Sequence, residues 1–403
     1  MTTTINNEHK KLNVPNLRFP EFQGEWEKKS LGEIGDSFIG LTYRPADVVS
    51  EGGLIVFRSS NIQNGCMDYK DIVRVNKNVK EKLITKKDDL LVCARNGSAR
   101  LIGKNAILHE TDANQTFGAF MMVFRSDKNH FVHQLLNTRR YSSQVSENLG
   151  ARINQITSSD LSSFEFFFPK GNNEMNKISA LLDLLDERIA TQNKIIEDLK
   201  KLKSAIIENH YNQTEKQTAS IADLGEPFSV GNLAKDDLTE TGMPCVVYGE
   251  LFTTYEETIS QIESHTNKTT GMILSKKGDL LFPSSTTVDA MSLIAPSVIN
   301  VDGVILGGDM FGIHINHNYN AQYLSYYFNH IAKRQLAKFA KGSTIIHLHY
   351  ADIEKAKLLL PSLEEQNRMA KCIMSLDAKI NIENFFISLL NSQKTHLLRQ
   401  MFI

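Results

Sequence analysis

The sequence predicts an α+β fold: two duplicated mixed α/β domains, each followed by a long helix, the two helices pairing as an antiparallel coiled coil. Three observations carry this. The chain matches itself at an offset of 190–192 residues, so its 403 residues divide into two copies of about 191 and an N-terminal remainder of 21. Each copy opens with short apolar runs bounded by Gly, Asn, Asp and Ser, which read as strands. Each copy closes with apolar residues at alternating four- and three-residue steps, the signature of a coiled-coil seam.

The repeat is legible residue by residue. Ser30-Leu31-Gly32-Glu33-Ile34-Gly35 meets Ser220-Ile221-Ala222-Asp223-Leu224-Gly225. Lys86-Lys87-Asp88-Asp89-Leu90-Leu91 meets Lys276-Lys277-Gly278-Asp279-Leu280-Leu281, and Gly150, Asp160-Leu161 and Pro169 meet Gly342, Asp352-Ile353 and Pro361. The boundaries that follow are an arm and first sheet domain over 1–170, a first helix over 171–215, a second sheet domain over 216–361 and a second helix over 362–403.

Strands are expected at Leu54 to Phe57, Asp89 to Cys93, Phe117 to Phe124 and Phe164 to Phe168, with counterparts at Cys245 to Tyr248, Leu280 to Phe282 and Leu358 to Leu360. After Pro169 and Pro361 the period becomes helical. Ile178, Leu182, Leu185, Ile189, Gln192, Ile196, Leu199, Lys203 and Ile206 form one seam. Met369, Ile373, Leu376, Ile380, Glu383, Ile387, Leu390, Lys394 and Leu397 form the other, matched in character at every position. From Glu174 to Asn209 such a helix extends about 54 Å, more than an ordinary core helix requires. Pairing of the two helices is therefore expected; the competing reading folds each helix onto its own sheet domain.

Composition bounds the function class. With 41% hydrophobic and 23% charged residues the chain is globular. Cys66, Cys93, Cys245 and Cys372 form no CxxC pair and read as reduced thiols; no apolar run marks a signal peptide or membrane helix, so a cytoplasmic location is expected. The net charge of -1 hides an uneven distribution. Residues 54–104 carry 11 basic and 5 acidic groups, residues 223–309 carry 4 and 13, and residues 333–357 carry 6 and 2.

Val14-Pro15-Asn16-Leu17-Arg18-Phe19-Pro20-Glu21-Phe22 with Gly24-Glu25-Trp26, Leu185-Asp186-Glu187-Arg188-Ile189, and Pro361-Ser362-Leu363-Glu364-Glu365-Gln366 with Leu376-Asp377-Ala378-Lys379-Ile380 carry a family resemblance. In these segments, and in the order of two sheet domains alternating with two long helices, the chain resembles the specificity (S) subunit of Type I restriction–modification systems. Met175 departs from the pattern, standing where the second copy has Gln366.

The resemblance implies a non-catalytic reader of double-stranded DNA, with two target recognition domains that each read half of a split, non-palindromic site. It implies two methyltransferase (M) subunits that methylate adenine at N6 with S-adenosylmethionine, and restriction (R) subunits that translocate and cut DNA. No cofactor is expected on this chain; S-adenosylmethionine, ATP and magnesium belong to the partners. The competing classes are a coiled-coil scaffold without DNA binding and a stand-alone DNA-modifying enzyme.

Candidate contacts follow from residue chemistry. Arg95-Asn96-Gly97-Ser98-Ala99-Arg100, leading to Lys104, follows an expected strand; Arg grips guanine O6 and N7, Asn brackets adenine N6 and N7, and Gly97 permits a tight turn. The corresponding loop, Ser284, Ser285, Thr286 and Thr287 after Pro283, offers hydroxyls and no arginine. Arg58, Ser59 and Asn61 fall opposite Glu250, which could accept from cytosine N4, although polar turn residues more often cap backbone groups. Phosphate-facing residues are expected at Arg152 and Asn154 in the first copy and at Lys341, Ser343, Thr344 and His347 in the second. The acidic 223–309 stretch stands against a DNA role for the second copy.

Enzyme motifs are missing from the sequence. Gly97 to Lys104 fails as a phosphate loop because Asn105 replaces Ser/Thr, there is no Asp/Asn-Pro-Pro-aromatic motif, and neither His314 with His317 nor His347 with His349 has further ligands at metal spacing.

Overall fold

A computed structural model describes residues 13–149 and 154–403. The chain forms two compact units, residues 1–194 with 385–403, and residues 195–384. Each unit therefore holds one sheet domain and one end of each long helix.

In the first unit an antiparallel sheet runs in the order Asp36–Ile39, Met121–Arg125, Leu90–Cys93, Asn105–Ile107. A second sheet runs Thr116–Phe117, Leu54–Phe57, Arg74–Val75, Val48–Val49. The ribbon Glu27–Ser30 with Glu165–Phe168 closes the domain where the arm enters and the helix leaves. The central strand Leu90–Cys93 is buried on both faces, which is why it reads as a continuous apolar run.

The second unit repeats this order. Gly225–Ser229, Met310–Ile315, Asp279–Pro283 and Ser297–Ile299 form one sheet, with Thr258–Ile259 added at its edge. Leu238–Thr239, Ser264–Thr266, Met243–Val247 and Ile305–Gly307 form the other, extended by Ile273–Leu274. The closing ribbon pairs Gln217 with Leu360 where the first copy pairs Glu27 with Phe168. Even a backbone special is shared. Asp88 and Gly278 occupy the same turn at φ 62° and 92°, a left-handed position that Gly and Asp tolerate.

One expected strand was drawn too long. Phe117 to Phe124 is two strands, Thr116–Phe117 and Met121–Arg125. Between them Gly118-Ala119-Phe120 turns, closed by Met121 N–H donating to Gly118 O at 2.8 Å. A β-carbon on Gly40 would lie 2.3 Å from Gly118 O, so the neighbouring chain approaches where no side chain fits.

The helices run Asn172–Gln213 and Leu363–Met401, 42 and 39 residues, or about 60 Å each. In the second unit Lys203 bonds Asp377 at 2.6 Å and His210 bonds Glu365 at 2.9 Å, so numbers rise along one helix as they fall along the other. In the first unit Lys394 pairs with Asp186, and Arg188 stacks on Phe386. The pairing is antiparallel in both. Asp186 and Lys203 are the copies of Asp377 and Lys394, so each unit makes the same contact with the helix roles exchanged.

Ile178, Leu182, Ile189, Ile196, Met369, Ile373, Ile380 and Leu390 are buried, and Leu185, Leu199, Leu376 and Ile387 are half-buried. Part of this seam also joins the sheet domains. Met175, Ile178 and Leu182 share a core with Trp26, Phe131, Leu398 and Phe402, while Ile207, Met369 and Ile373 share one with Leu224, Tyr327 and Leu358. The two sequence readings of the helices therefore both hold, and they meet at the same residues, Ile178, Leu182, Met369 and Ile373.

The arm is fixed by one carboxylate. Glu174 accepts two hydrogen bonds from Arg18, at 2.7 and 2.8 Å, and one from Trp26 Nε1 at 3.2 Å. Leu17 N–H donates to Gln400 O near the end of the second helix. The departure at Met175 also has a packing reason: Met175 fills the first core, whereas Gln366 accepts from Asn320 N–H and donates to Pro361 O.

Candidate nucleic-acid interface

In the first unit three segments converge beyond strand Leu90–Cys93. Ala94 and Arg95 N–H both donate to Phe120 O, at 2.9 and 3.0 Å. Arg95 bridges Gln155 in antiparallel fashion, and Asn154 Nδ2 donates to Gly97 O at 3.2 Å. Asn96 locks the turn by accepting from Ser98 N–H and donating to Ser59 Oγ. Arg95, Asn96, Ser98, Arg100, Ser59 and Asn154 are thus brought to one region, with Arg95 and Arg100 exposed. Arg95 lies over the Phe120 ring at 5.2 Å. Arg152 lies outside the described residues.

Other expected contacts are occupied within the fold. Asn61 is fully buried; it accepts from Arg58 N–H and donates to Asp68 O and Asp71 O, leaving no amide edge for a base. Lys104 Nζ donates to Ile62 O at 2.8 Å, and burial lowers its pKa. Arg58 is ion-paired with Asp71 at 2.6 Å. Asn61 and Lys104 therefore move from contact candidates to structural positions, because the turn needs its own donors and acceptors satisfied before any ligand arrives.

The second unit builds the same junction with different residues. Ser284 N–H donates to Asp309 O at 2.8 Å, as Ala94 does to Phe120. Ser285 pairs with His347 as Arg95 pairs with Gln155, and Thr286 pairs with Ile346. Ser284 and Ser285 are buried in this ribbon and Glu250 accepts from Val247 N–H and Ser264 Oγ, so these three side chains are structural here. Thr286 is half-buried, while Ser343, Thr344 and His347 are exposed beside it. Lys341 pairs with Asp352, and its N–H and carbonyl bond those of His347.

The acidic stretch resolves into local scaffolding. Asp223, Asp237, Asp279, Asp289 and Asp302 accept backbone N–H groups of turns and helix starts, at 2.7–2.8 Å. Glu33, Asp47 and Asp89 make the first three of these bonds in the first copy. Glu256 and Glu257 pair with Lys200 and Lys203 of the first helix, which the 223–309 window leaves out. The second copy thus differs chiefly in lacking surface cations, since much of its acid does the same work as in the first.

Phe120 was missed by sequence reasoning, which had absorbed it into a strand. Gly118 was the available signal, since an isolated glycine in a strand pattern marks a bend or close backbone approach. Among the described residues no group of three or more His, Cys, Asp and Glu is placed to hold a metal ion. His314 Nδ1–H donates to Asp279 Oδ1 at 2.6 Å and its ring stacks on Phe228. No described helix is long and apolar enough to cross a membrane.

The family profile described as the Type I restriction modification DNA specificity domain matches residues 23–201 and again 214–390. The chain belongs to this family. It is 28% identical over 179 residues to the "Type I restriction enzyme EcoKI specificity subunit" of Escherichia coli K12, a match over 42% of this chain and 38% of that one. That alignment spans well under half of the relative. The MjaVIII specificity subunit of Methanocaldococcus jannaschii is 23% identical over 403 residues, covering 91% of this chain and 89% of the relative. The crystal structure of a Type I S subunit from M. genitalium shares the fold, with a TM-score of 0.61 at 16% identity over 97% of this chain and 99% of that one. The two segments that the family profile matches fall on the two copies expected from the repeat.

Proposed function

We propose that the chain is the DNA-reading subunit of a Type I restriction–modification complex. One observation carries the reading: the same junction, strand end against a second ribbon, is built twice on one helix-paired scaffold and dressed with different side chains. A scaffold without a ligand has no use for two divergent surfaces at equivalent positions. Two readers differing at Arg95 and Ser285 suit a bipartite site whose halves differ in sequence.

In this reading the paired helices set the spacing. Half-sites roughly one helical turn, about 34–36 Å, apart show the same groove face to two similar readers. Adenine-N6 methylation and DNA cleavage reside in the M and R partners, which bring S-adenosylmethionine, ATP and magnesium; this chain contributes sequence choice. A DNA substrate agrees with the cytoplasmic location expected from the sequence.

A mobility-shift assay with the M subunits present, at several salt concentrations, tests the reading. The expected result is a shift that weakens with salt as phosphate contacts are screened. No shift at any salt, or methylation or cleavage by the purified chain alone, overturns it.

A further inference from the structure

The exposed aromatic beside Arg95 has no structural task in the fold. Phe120 is 58% exposed, in a chain that buries most of its phenylalanines. It is nevertheless held firmly. Its turn is closed by the Met121 N–H to Gly118 O bond, its carbonyl accepts from Ala94 and Arg95, and Gly40 packs against the turn backbone. Its ring lies 5.2 Å beneath the Arg95 guanidinium, which has no carboxylate partner among the described residues.

We propose that Phe120 is a positioning and specificity-determining residue that presents the Arg95 guanidinium edge to a guanine of one half-site. This rests on the DNA-reading function proposed above. Stacking occupies only the face of a guanidinium and leaves its in-plane N–H groups free, and that edge makes the bidentate contact with O6 and N7. A flexible arginine must be ordered on binding, at a cost that a rigid aromatic platform removes in advance.

The duplication supports the pairing of these roles. At the equivalent junction of the second copy Ser285 stands for Arg95 and Asp309 for Phe120, so arginine and aromatic platform are present together or absent together. Were Phe120 simply a loop residue, its identity would have no reason to follow that of residue 95.

The test is selection from a randomised duplex DNA pool by the full chain with its M subunits, followed by sequencing of the bound fraction. Wild type is expected to enrich a guanine at one position, and Arg95→Ala to lose that enrichment while keeping the other half-site. Phe120→Ala should weaken the same guanine preference about two- to fivefold, the worth of an exposed cation–π contact. Phe120→Tyr should retain it, and because the ring is exposed all variants should keep the wild-type melting temperature. If Phe120→Ala keeps the full guanine preference while Arg95→Ala loses it, the positioning role is overturned and the reader stands. If wild type enriches no sequence, the DNA-reading function falls and this proposal with it.

Discussion

Lys203 offers a quantitative test of how the helix pair is held. Its side chain is 5% exposed and its ammonium meets Asp377 at 2.6 Å on the second helix and Glu257 at 2.9 Å on the sheet domain. Burial disfavours the Glu257 carboxylate, yet hydrogen bonds from His330 and Lys203 prevail and hold its pKa at about 2, below the ordinary 4.5. That depression corresponds to about 3 kcal/mol. Lys203→Ala removes the shared cation from two carboxylates, leaving Glu257 with His330 and Asp377 with Tyr326 Oη, and should cost about 3–5 kcal/mol. Lys394, its copy, has one carboxylate partner among the described residues, Asp186, and the two side chains are 18% and 23% exposed. Lys394→Ala should cost about 1–2 kcal/mol.

Urea unfolding followed by circular dichroism measures both variants. The sign of the pH effect also follows. A depressed carboxylate stabilises fully above its unfolded pKa, so the Glu257 contribution is complete above 4.5 and lost as pH falls toward 2. Burial opposes the Lys203 charge but Glu257 and Asp377 raise its pKa on balance, so its share is lost only as pH rises beyond 10.5. Glu257→Gln should remove the Glu257 share of that loss, the part that falls between pH 4.5 and 2. Equal costs for Lys203→Ala and Lys394→Ala would refute the claim that burial and the second carboxylate set the size of the effect.

Three further outcomes are expected. Asn61→Ala should destabilise the chain by about 2–3 kcal/mol in the same unfolding assay, because a buried donor and acceptor set is left unmatched; an unchanged midpoint would return Asn61 to the contact candidates. His133 is buried, donates Nδ1–H to Asn105 Oδ1 at 2.7 Å, and burial with the nearby Lys394 charge lowers its pKa to about 4. The unfolded chain therefore protonates first as pH drops below 6.5, stability should fall by up to about 3 kcal/mol between 6.5 and 4, and His133→Gln should flatten that slope. Inserting helical turns after Glu174 should change the tolerated spacer in methylated sites and leave the half-site sequences intact; altered half-sites would count against the helices as the ruler.

The fold was largely written in the repeat. The offset of 190–192 residues survives as shared strand order, shared turn geometry at Asp88 and Gly278, and the exchanged pairs Asp186–Lys394 and Lys203–Asp377. The candidate interface was only half legible. Arg95, Asn96 and Asn154 were each named from residue type, but that their two segments meet was not. The occupied state of Asn61, Lys104 and Glu250 was not legible, because whether a polar side chain faces solvent or a backbone group depends on turns that residue type alone leaves open. Phe120 was hidden for the same reason, its three-residue change of direction being set by the Gly40–Gly118 approach between distant segments.

Single-base mapping of N6-methyladenine in the host genome, with and without this chain, tests the central claim most directly. The account predicts one methylated motif of two short, dissimilar half-sites at fixed spacing, lost on deletion of the chain and altered in one half only by Arg95→Ala. Unchanged methylation on deletion, or a motif that is continuous and palindromic, would contradict it.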